Sequence, residues 1–266
     1  MIGPVRISAT AVVGSAPLVP DDLARQLRRA DDFITLAAVA ARQVLESGPA
    51  RDLSPGQTGI FIGTAYGPLE TNFSSLGSLI DDGEGQISPT LFSHSVFNAA
   101  AGYVARLMNI QGPAATVTTY GWPWLAALQE AWLAVVSGRV DRALVLGVEV
   151  YSDLLRDALC RVPGRDGARQ SLAMEPGAVA WLLDPTAADG LVLNGVTIIE
   201  TPTEPDLLLS RANEAWSGPG LPEHGNPTPL AHGQAMTEAL ASSLGRELVW
   251  QFTAPFGRAE VVIAPA

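Results

Sequence analysis

Few cysteine and histidine side chains are available in this sequence to act as a nucleophile, a general base or a metal ligand. The chain has one cysteine, Cys160, and three histidines, His94, His224 and His232. Cys160 lies in a charged stretch, away from the strand-to-helix turn where a thiol becomes reactive, so we expect it to be inert. His94 precedes a predicted helix and suits capping or hydrogen bonding better than catalysis. The spacing of His, Asp and Glu matches no metal site.

The stretch Ala115–Ser152 predicts a strand, a sharp turn, a helix and a second strand. A β-branched run precedes the turn, and apolar residues then recur at helical spacing. Pro123 stands at a first helical position, where its missing N–H is tolerated. In several folds such a turn exposes a nucleophile, whose anion is stabilised by the helix N-terminus. Here the turn carries Gly121, which has no reactive side chain, and the bulky Trp122 and Trp124 follow it.

Predicted strands alternate with predicted helices along the rest of the chain, which indicates an α/β layer architecture. We expect a long helix over Asp21–Glu46 and another over Ser95–Met108. Gly177–Leu183 and Leu191–Ile199 are predicted to be adjacent strands joined by a turn. Pro205–Trp216 is predicted to be a helix, because a proline stands in its first turn.

Composition and charge exclude several classes of function. Of the 266 residues, 47% are apolar and 16% are charged, which is typical of a well-buried core. The net charge of −11 argues against nucleic acid and anionic membrane surfaces as partners. A lone cysteine cannot form an intramolecular disulfide. Neither a secretory signal nor an uncharged apolar run of roughly 18 residues is visible, so we expect a cytoplasmic protein.

The turn around Gly121 resembles the nucleophile turn of a known family. TVTTYGWPWLAAL is similar to that turn in the β-ketoacyl synthases, enzymes of the thiolase fold, and the family's cysteine falls on Gly121. Similar segments of these enzymes match SGRVDRALVLGVE, SLAMEPGAVAWLLD and APFGRAEVVIAPA. The family's two histidine motifs are not intact: His224 in PEHGNP lacks the residues that should follow it, and His232 in LAHGQAMTEA matches only distantly.

This resemblance implies a thiolase-like α/β fold with layers in the order α-β-α-β-α and an abridged second half. It implies one domain over residues 1–266, composed of a ketosynthase-like half, 1–152, and a shortened half, 153–266. Without the cysteine, and with neither histidine motif intact, the chain should not form a thioester or polarise a carbonyl.

These features resemble the chain-length factor, the inactive partner subunit of type II polyketide synthases, in the short form of polyene and aryl-polyene systems. The resemblance implies a heterodimer with a catalytic ketosynthase, contact with the acyl carrier protein only through that partner, and no cofactor. Trp122 and Trp124 would fill the vestigial pocket at Gly121. The remaining implied site residues either line the substrate tunnel, namely Tyr66, Leu91 and Phe92, or lie in the dimer interface, namely Phe97, Asn98, Ala99, Gly102, Thr118 and Thr119.

Two other functions remain open from the sequence. An enzyme of the same fold could decarboxylate a malonyl carrier without acylation, with Thr118, Thr119 or His94 as donors. A homodimeric acyl-binding scaffold would need neither a nucleophile nor a catalytic partner. Tyr66 also fits an ordinary buried aromatic residue, and Leu91 and Phe92 fit ordinary interface packing.

Overall fold

The computed structural model describes residues 4–49, 55–119, 121–161, 174–201, 215–219, 228–242 and 246–265. The described strands are β1 Arg6–Val13, β2 Thr58–Thr64, β3 Ala114–Thr118, β4 Arg142–Glu149, β5 Gly177–Asp184, β6 Leu191–Glu200, β7 Ala215–Ser217, β8 Leu248–Ala254 and β9 Gly257–Ala264. The described helices are α1 Asp21–Leu27, α2 Asp32–Ser47, α3 Leu69–Asp82, α4 Pro89–His94, α5 Ala99–Leu107, α6 Pro123–Val136, α7 Asp153–Cys160 and α8 Ala231–Ser242.

The strand–turn–helix–strand prediction for Ala115–Ser152 is confirmed by β3, α6 and β4. β2 pairs in parallel with both β3 and β4, and β5 pairs antiparallel with β4. Every residue of β2 and β5 is buried, as expected for strands covered on both faces. The carboxyl ends of β2, β3 and β4 therefore meet at one edge of the sheet, where the turn into α6 begins.

Pairing between distant strands corrects one sequence prediction. β5 and β6 are not neighbours, because β1 lies between them in the order β3-β2-β4-β5-β1-β6-β9-β8-β7. β1 pairs antiparallel with β5 along most of its length and with β6 only at Arg6 and Ile7. The first strand therefore joins the two halves of the sheet.

Three helix predictions also need correction. The predicted helix Asp21–Glu46 is two helices, because Asp31 caps a new one by accepting a hydrogen bond from the Ile34 N–H at 2.9 Å. Ser95–Met108 likewise includes a turn before α5. Most of the predicted helix Pro205–Trp216 lies outside the described residues, and its last two positions belong to β7.

The sheet and helices form layers around α6. α2 and α5 cover one face of the first half of the sheet. α6 and α8 pack in a second core between that half and the half formed by β6, β9 and β8. The opposite face of β6, β9 and β8 exposes Thr197, Gln251, Thr253 and Arg258, and no helix in the described part of the chain packs there. Four of the five expected thiolase-like layers thus lie in the described residues.

None of the helices in the described ranges is long and apolar enough to cross a membrane. Within those ranges, no group of His, Cys, Asp and Glu side chains is arranged to hold a metal ion.

Glycines allow the start of α6 to approach the sheet closely. A Cβ atom at Gly63 in β2 would overlap the carbonyl group of Pro123. The Trp124 ring similarly lies against Gly147 in β4 and Gly233 in α8, where a Cβ would come within 3.0 and 3.1 Å of the ring. The position of the turn at Gly121 thus depends on these close contacts.

Substituting Gly63→Ala should therefore lower the free energy of unfolding by about 1–3 kcal/mol, because two backbone segments must separate. Gly77→Ala is the matched control: Gly77 lies in α3 with open space around its Cα, so alanine should be neutral or stabilising by up to about 1 kcal/mol. Urea unfolding of both variants provides the measurement. Equal stability of the two variants would contradict the close approach of β2 and α6.

Candidate functional site

The turn between β3 and α6 places Gly121 beside a cavity of about 250 Å³. The Gly121 N–H donates to Thr119 Oγ1 at 3.2 Å. A Cβ atom at position 121 would lie 3.0 Å from the Phe256 ring, so this ring occupies the space that a side chain would enter. The residues lining the cavity are Thr119, Gly121, Trp122, Ala126, Ile198, Glu200, Thr201 and Phe256.

The two tryptophans after Gly121 have different surroundings. Trp122 lines the cavity and is almost fully buried, with its ring centroid 4.8 Å from that of Phe256. Trp124 lies in the core behind the cavity, edge-on to Trp181 at 5.2 Å between centroids. Trp122 and Phe256 together therefore enclose the apolar side of the cavity.

Neither histidine in the described part of the chain lines this cavity. His232 is fully buried in α8, and its ring is 5.0 Å from that of Phe252. His94 is buried at the end of α4, and its Nε2 lies 2.9 Å from the Tyr103 hydroxyl oxygen. His224 lies outside the described residues. Of the candidate donors, only Thr119 lines the cavity, whereas Thr118 is exposed on β3.

A buried carboxylate organises the turn that follows β2. Glu149, the last residue of β4, is fully buried. Its Oε2 accepts hydrogen bonds from Thr64 Oγ1 at 3.2 Å and from the Tyr66 N–H at 3.1 Å, and its Oε1 accepts from the Ala65 N–H. The sequence analysis missed Glu149 as a site residue, although it is the one charged residue in the apolar stretch Ala143–Val150.

The predicted tunnel residues lie on this turn and on α4. Tyr66 is half-buried, and its ring packs edge-on against Tyr151 at 5.7 Å between centroids. Leu91 is half-buried in α4, and the neighbouring Phe92 is 65% exposed. The Phe97 ring covers Gly67, where a Cβ atom would come within 2.5 Å of it. Tyr66 and Phe97 thus lie at the same turn, whereas Leu91 and Phe92 lie on α4.

Most of the predicted interface residues lie on a surface formed by α3, α4, α5 and β3, here called the α3–β3 surface, whereas Thr119 lines the cavity at Gly121. Each element contacts the next in this order. Asn98 and Gly102 are exposed, Ala99 is half-buried, and a Cβ atom at Gly102 would meet open space. The surface also exposes large apolar side chains, which a monomer rarely groups together. These are Leu76 at 51%, Ile80 at 72%, Phe92 at 65% and Val96 at 47% exposure.

β3 is an edge strand of the sheet in the described part of the chain. The Ile60 N–H donates to Pro113 O at 2.8 Å, and the Thr119 N–H donates to Thr64 O at 3.3 Å. Because bonding alternates along a strand, Ala114, Thr116 and Thr118 direct their backbone N–H and C=O groups away from β2. Such an edge is a template for pairing with a strand of another chain.

Comparison with known proteins identifies the fold and the family. The structure of a type II polyketide synthase acyl-carrier protein in complex with its ketosynthase bound to the hexaketide has a TM-score of 0.74 and 15% identity, over 100% of both chains. The complex of a ketosynthase with its chain length factor from Xenorhabdus doucetiae has a TM-score of 0.60 and 14% identity, over 98% of this chain and 99% of that one. At these identities the likeness shows the thiolase-like fold alone.

Residues 16–159 match the family described as beta-ketoacyl synthase, N-terminal domain, which is more than half of the 266 residues. The chain belongs to the β-ketoacyl synthase family. A curated relative, 3-oxoacyl-[acyl-carrier-protein] synthase 2 of Rhizobium meliloti, is 30% identical over 128 residues, covering 47% of this chain and 30% of that enzyme. The chain therefore spans less than a third of the length of this relative.

A cysteine introduced at Gly121 should remain a poorly reactive thiol, because Phe256 covers the position and neither described histidine lines the cavity. In a Cys160→Ser background, we expect Gly121→Cys to react with iodoacetamide on the order of tenfold more slowly when folded than when denatured. Adding Phe256→Ala should raise the rate in the folded protein. Rapid formation of an acyl-enzyme from an acyl carrier by Gly121→Cys alone would contradict this prediction.

Proposed function

We propose that this chain is a non-catalytic chain-length-factor subunit that heterodimerises with a catalytic ketosynthase, stabilises it and bounds the tunnel for the growing acyl chain. The observation that carries the proposal is the cavity at the nucleophile turn. Its described lining contains Gly121 where the family has its cysteine, and neither a cysteine nor a histidine. Covalent catalysis of acyl transfer needs a nucleophile and polarising donors at that point.

The α3–β3 surface supports the heterodimer. It combines exposed apolar side chains with an edge strand whose outward backbone groups can pair, and both features favour burial against another protein. The exposed Gly102, with open space beyond it, would allow a partner backbone to approach closely. A ketosynthase is the partner that the family suggests, and the Xenorhabdus doucetiae complex is a ketosynthase with its chain length factor.

The net charge of −11 supports an indirect contact with the acyl carrier protein. Carrier proteins are typically acidic, so like charges would oppose docking on this subunit, and the basic docking face would lie on the ketosynthase. The glycine at position 121 favours the form of chain-length factor found in polyene and aryl-polyene systems.

A second candidate is decarboxylation of a malonyl carrier by this chain itself. Thr119 favours it, because its hydroxyl group lies in the cavity at Gly121 and could donate to a thioester carbonyl there. His94 is paired with Tyr103 outside that cavity, and Thr118 lies on the exposed edge. The candidate therefore depends on Thr119.

The proposal is tested by co-expression with a catalytic ketosynthase, followed by size-exclusion chromatography and an elongation assay with malonyl carrier. We expect a 1:1 complex whose activity is abolished by removal of the partner's cysteine. Leu76→Asp on the α3–β3 surface should weaken the complex, on the order of tenfold in Kd, because a charge would be buried. Leu18→Asp is the matched control, since Leu18 is 91% exposed in the segment between β1 and α1.

Other outcomes would favour other functions. A stable homodimer that does not bind the ketosynthase would support the function of an acyl-binding scaffold and would contradict the proposed heterodimer. Release of CO₂ from malonyl carrier by the isolated chain, lost in Thr119→Val, would establish the decarboxylase.

Replacing Tyr66 or Leu91 with alanine should lengthen the products, because a smaller side chain extends the tunnel that it closes. We expect products that are longer by about one extension unit. Mass spectrometry of carrier-bound or released chains measures their length. Tyr66→Phe, which keeps the ring, is the control and should leave the length unchanged. If both alanine variants give the original product lengths in an intact complex, neither residue closes the tunnel.

A further inference from the structure

The Glu149 carboxylate accepts hydrogen bonds from the short turn that follows β2. Three donors converge on it, the Thr64 hydroxyl and the backbone N–H groups of Ala65 and Tyr66, all from consecutive residues. A fully buried carboxylate is costly unless donors satisfy it, and hydrogen bonds to a charged group are stronger than those between neutral groups. The turn therefore cannot move away from Glu149 without leaving a buried charge poorly solvated.

The same turn holds Tyr66 in place through further contacts. Thr64 Oγ1 also accepts from the Gly67 N–H at 2.8 Å, which closes the turn with Gly67 at a φ of 55°. The left-handed backbone suits glycine, and the Phe97 ring fills the space above it. Tyr66 then projects toward Tyr151, where Leu69 and Leu155 complete a small apolar cluster.

Two further hydrogen bonds connect this turn with the cavity at Gly121. The Thr64 carbonyl accepts from the Thr119 N–H at 3.3 Å, and Thr119 Oγ1 in turn accepts from the Gly121 N–H at 3.2 Å. Glu149, which bonds Thr64 directly, thus fixes the residue from which both Tyr66 and the vestigial nucleophile turn are positioned.

We infer that Glu149 is a positioning residue that sets where the Tyr66 ring stands, and through it the length of chain that the tunnel accepts. The part concerning chain length rests on the proposed function. The part concerning the turn does not, because it concerns hydrogen bonds within this chain. In this role Glu149 acts through the Thr64–Tyr66 turn and is not itself a catalytic residue.

The first test uses Glu149→Gln. Glutamine keeps the shape of the side chain and one acceptor oxygen, but its amide NH₂ cannot accept from the Tyr66 N–H and the Thr64 hydroxyl. Hydrogen exchange of the Ala65 and Tyr66 amides should become about tenfold faster, or more, because bonds to a charged acceptor are lost. Glu149→Asp keeps the charge with a shorter reach, and should give a smaller increase.

Asp184→Asn is the matched control. Asp184 is also fully buried, and it accepts a hydrogen bond from the Thr186 N–H at 2.8 Å. Gly177, at the start of β5, pairs with Glu149, whereas Asp184 lies at the other end of β5. This substitution removes a buried carboxylate about 20 Å away along the strand and should leave exchange at Ala65 and Tyr66 unchanged. If amide exchange at Ala65 and Tyr66 is accelerated equally in both variants, the protein is destabilised in general and the inference is overturned. Unchanged exchange in Glu149→Gln would overturn it as well.

The second test measures product length in the heterodimer. Glu149→Gln should shift the distribution in the same direction as Tyr66→Ala, with the 1:1 complex intact, whereas Asp184→Asn should not. Wild-type products from Glu149→Gln, in a complex where Tyr66→Ala changes them, would overturn the link to chain length. Failure of wild-type chain to bind any ketosynthase would instead count against the proposed function, and the exchange measurement would still decide whether Glu149 holds the turn.

Discussion

The structure depends on the burial of α6 between the two halves of one sheet. Residues on most sides of this helix are buried, because β2 and β4 pack on one side and β6 packs on the other. Such a helix must be apolar nearly all round, and it must approach its neighbours closely. Gly63, Gly147 and Gly233 permit that approach at the first turn. The start of α6 is therefore fixed by close packing against buried apolar residues.

The turn at Gly121 has the strand–turn–helix arrangement of the family without a cysteine at the nucleophile position. In this family the turn before α6 presents a nucleophile, and the helix N-terminus stabilises its anion. Here the turn ends in Gly121, Phe256 closes over it, and Trp122 adds an apolar wall. The polar residues that line the cavity include Thr119 and Glu200.

The hydrogen bonds of the buried Glu149 carboxylate organise the turn after β2. Glu149 binds the turn after β2, and the hydrogen bonds of Thr64 and Thr119 connect that turn with Gly121. The same region leads into the α3–β3 surface through Phe97.

The sequence by itself determined the β3–α6–β4 unit and the glycine at the position of the family's cysteine. The order β3, α6, β4, the α/β class and the glycine at position 121 follow from local periodicity and residue type. Only the tertiary structure decided that β1 lies between β5 and β6, that Phe256 covers Gly121, and that Glu149 holds the Tyr66 turn. These are contacts between residues far apart in the chain, and they are set by strand register and packing, which local patterns do not encode.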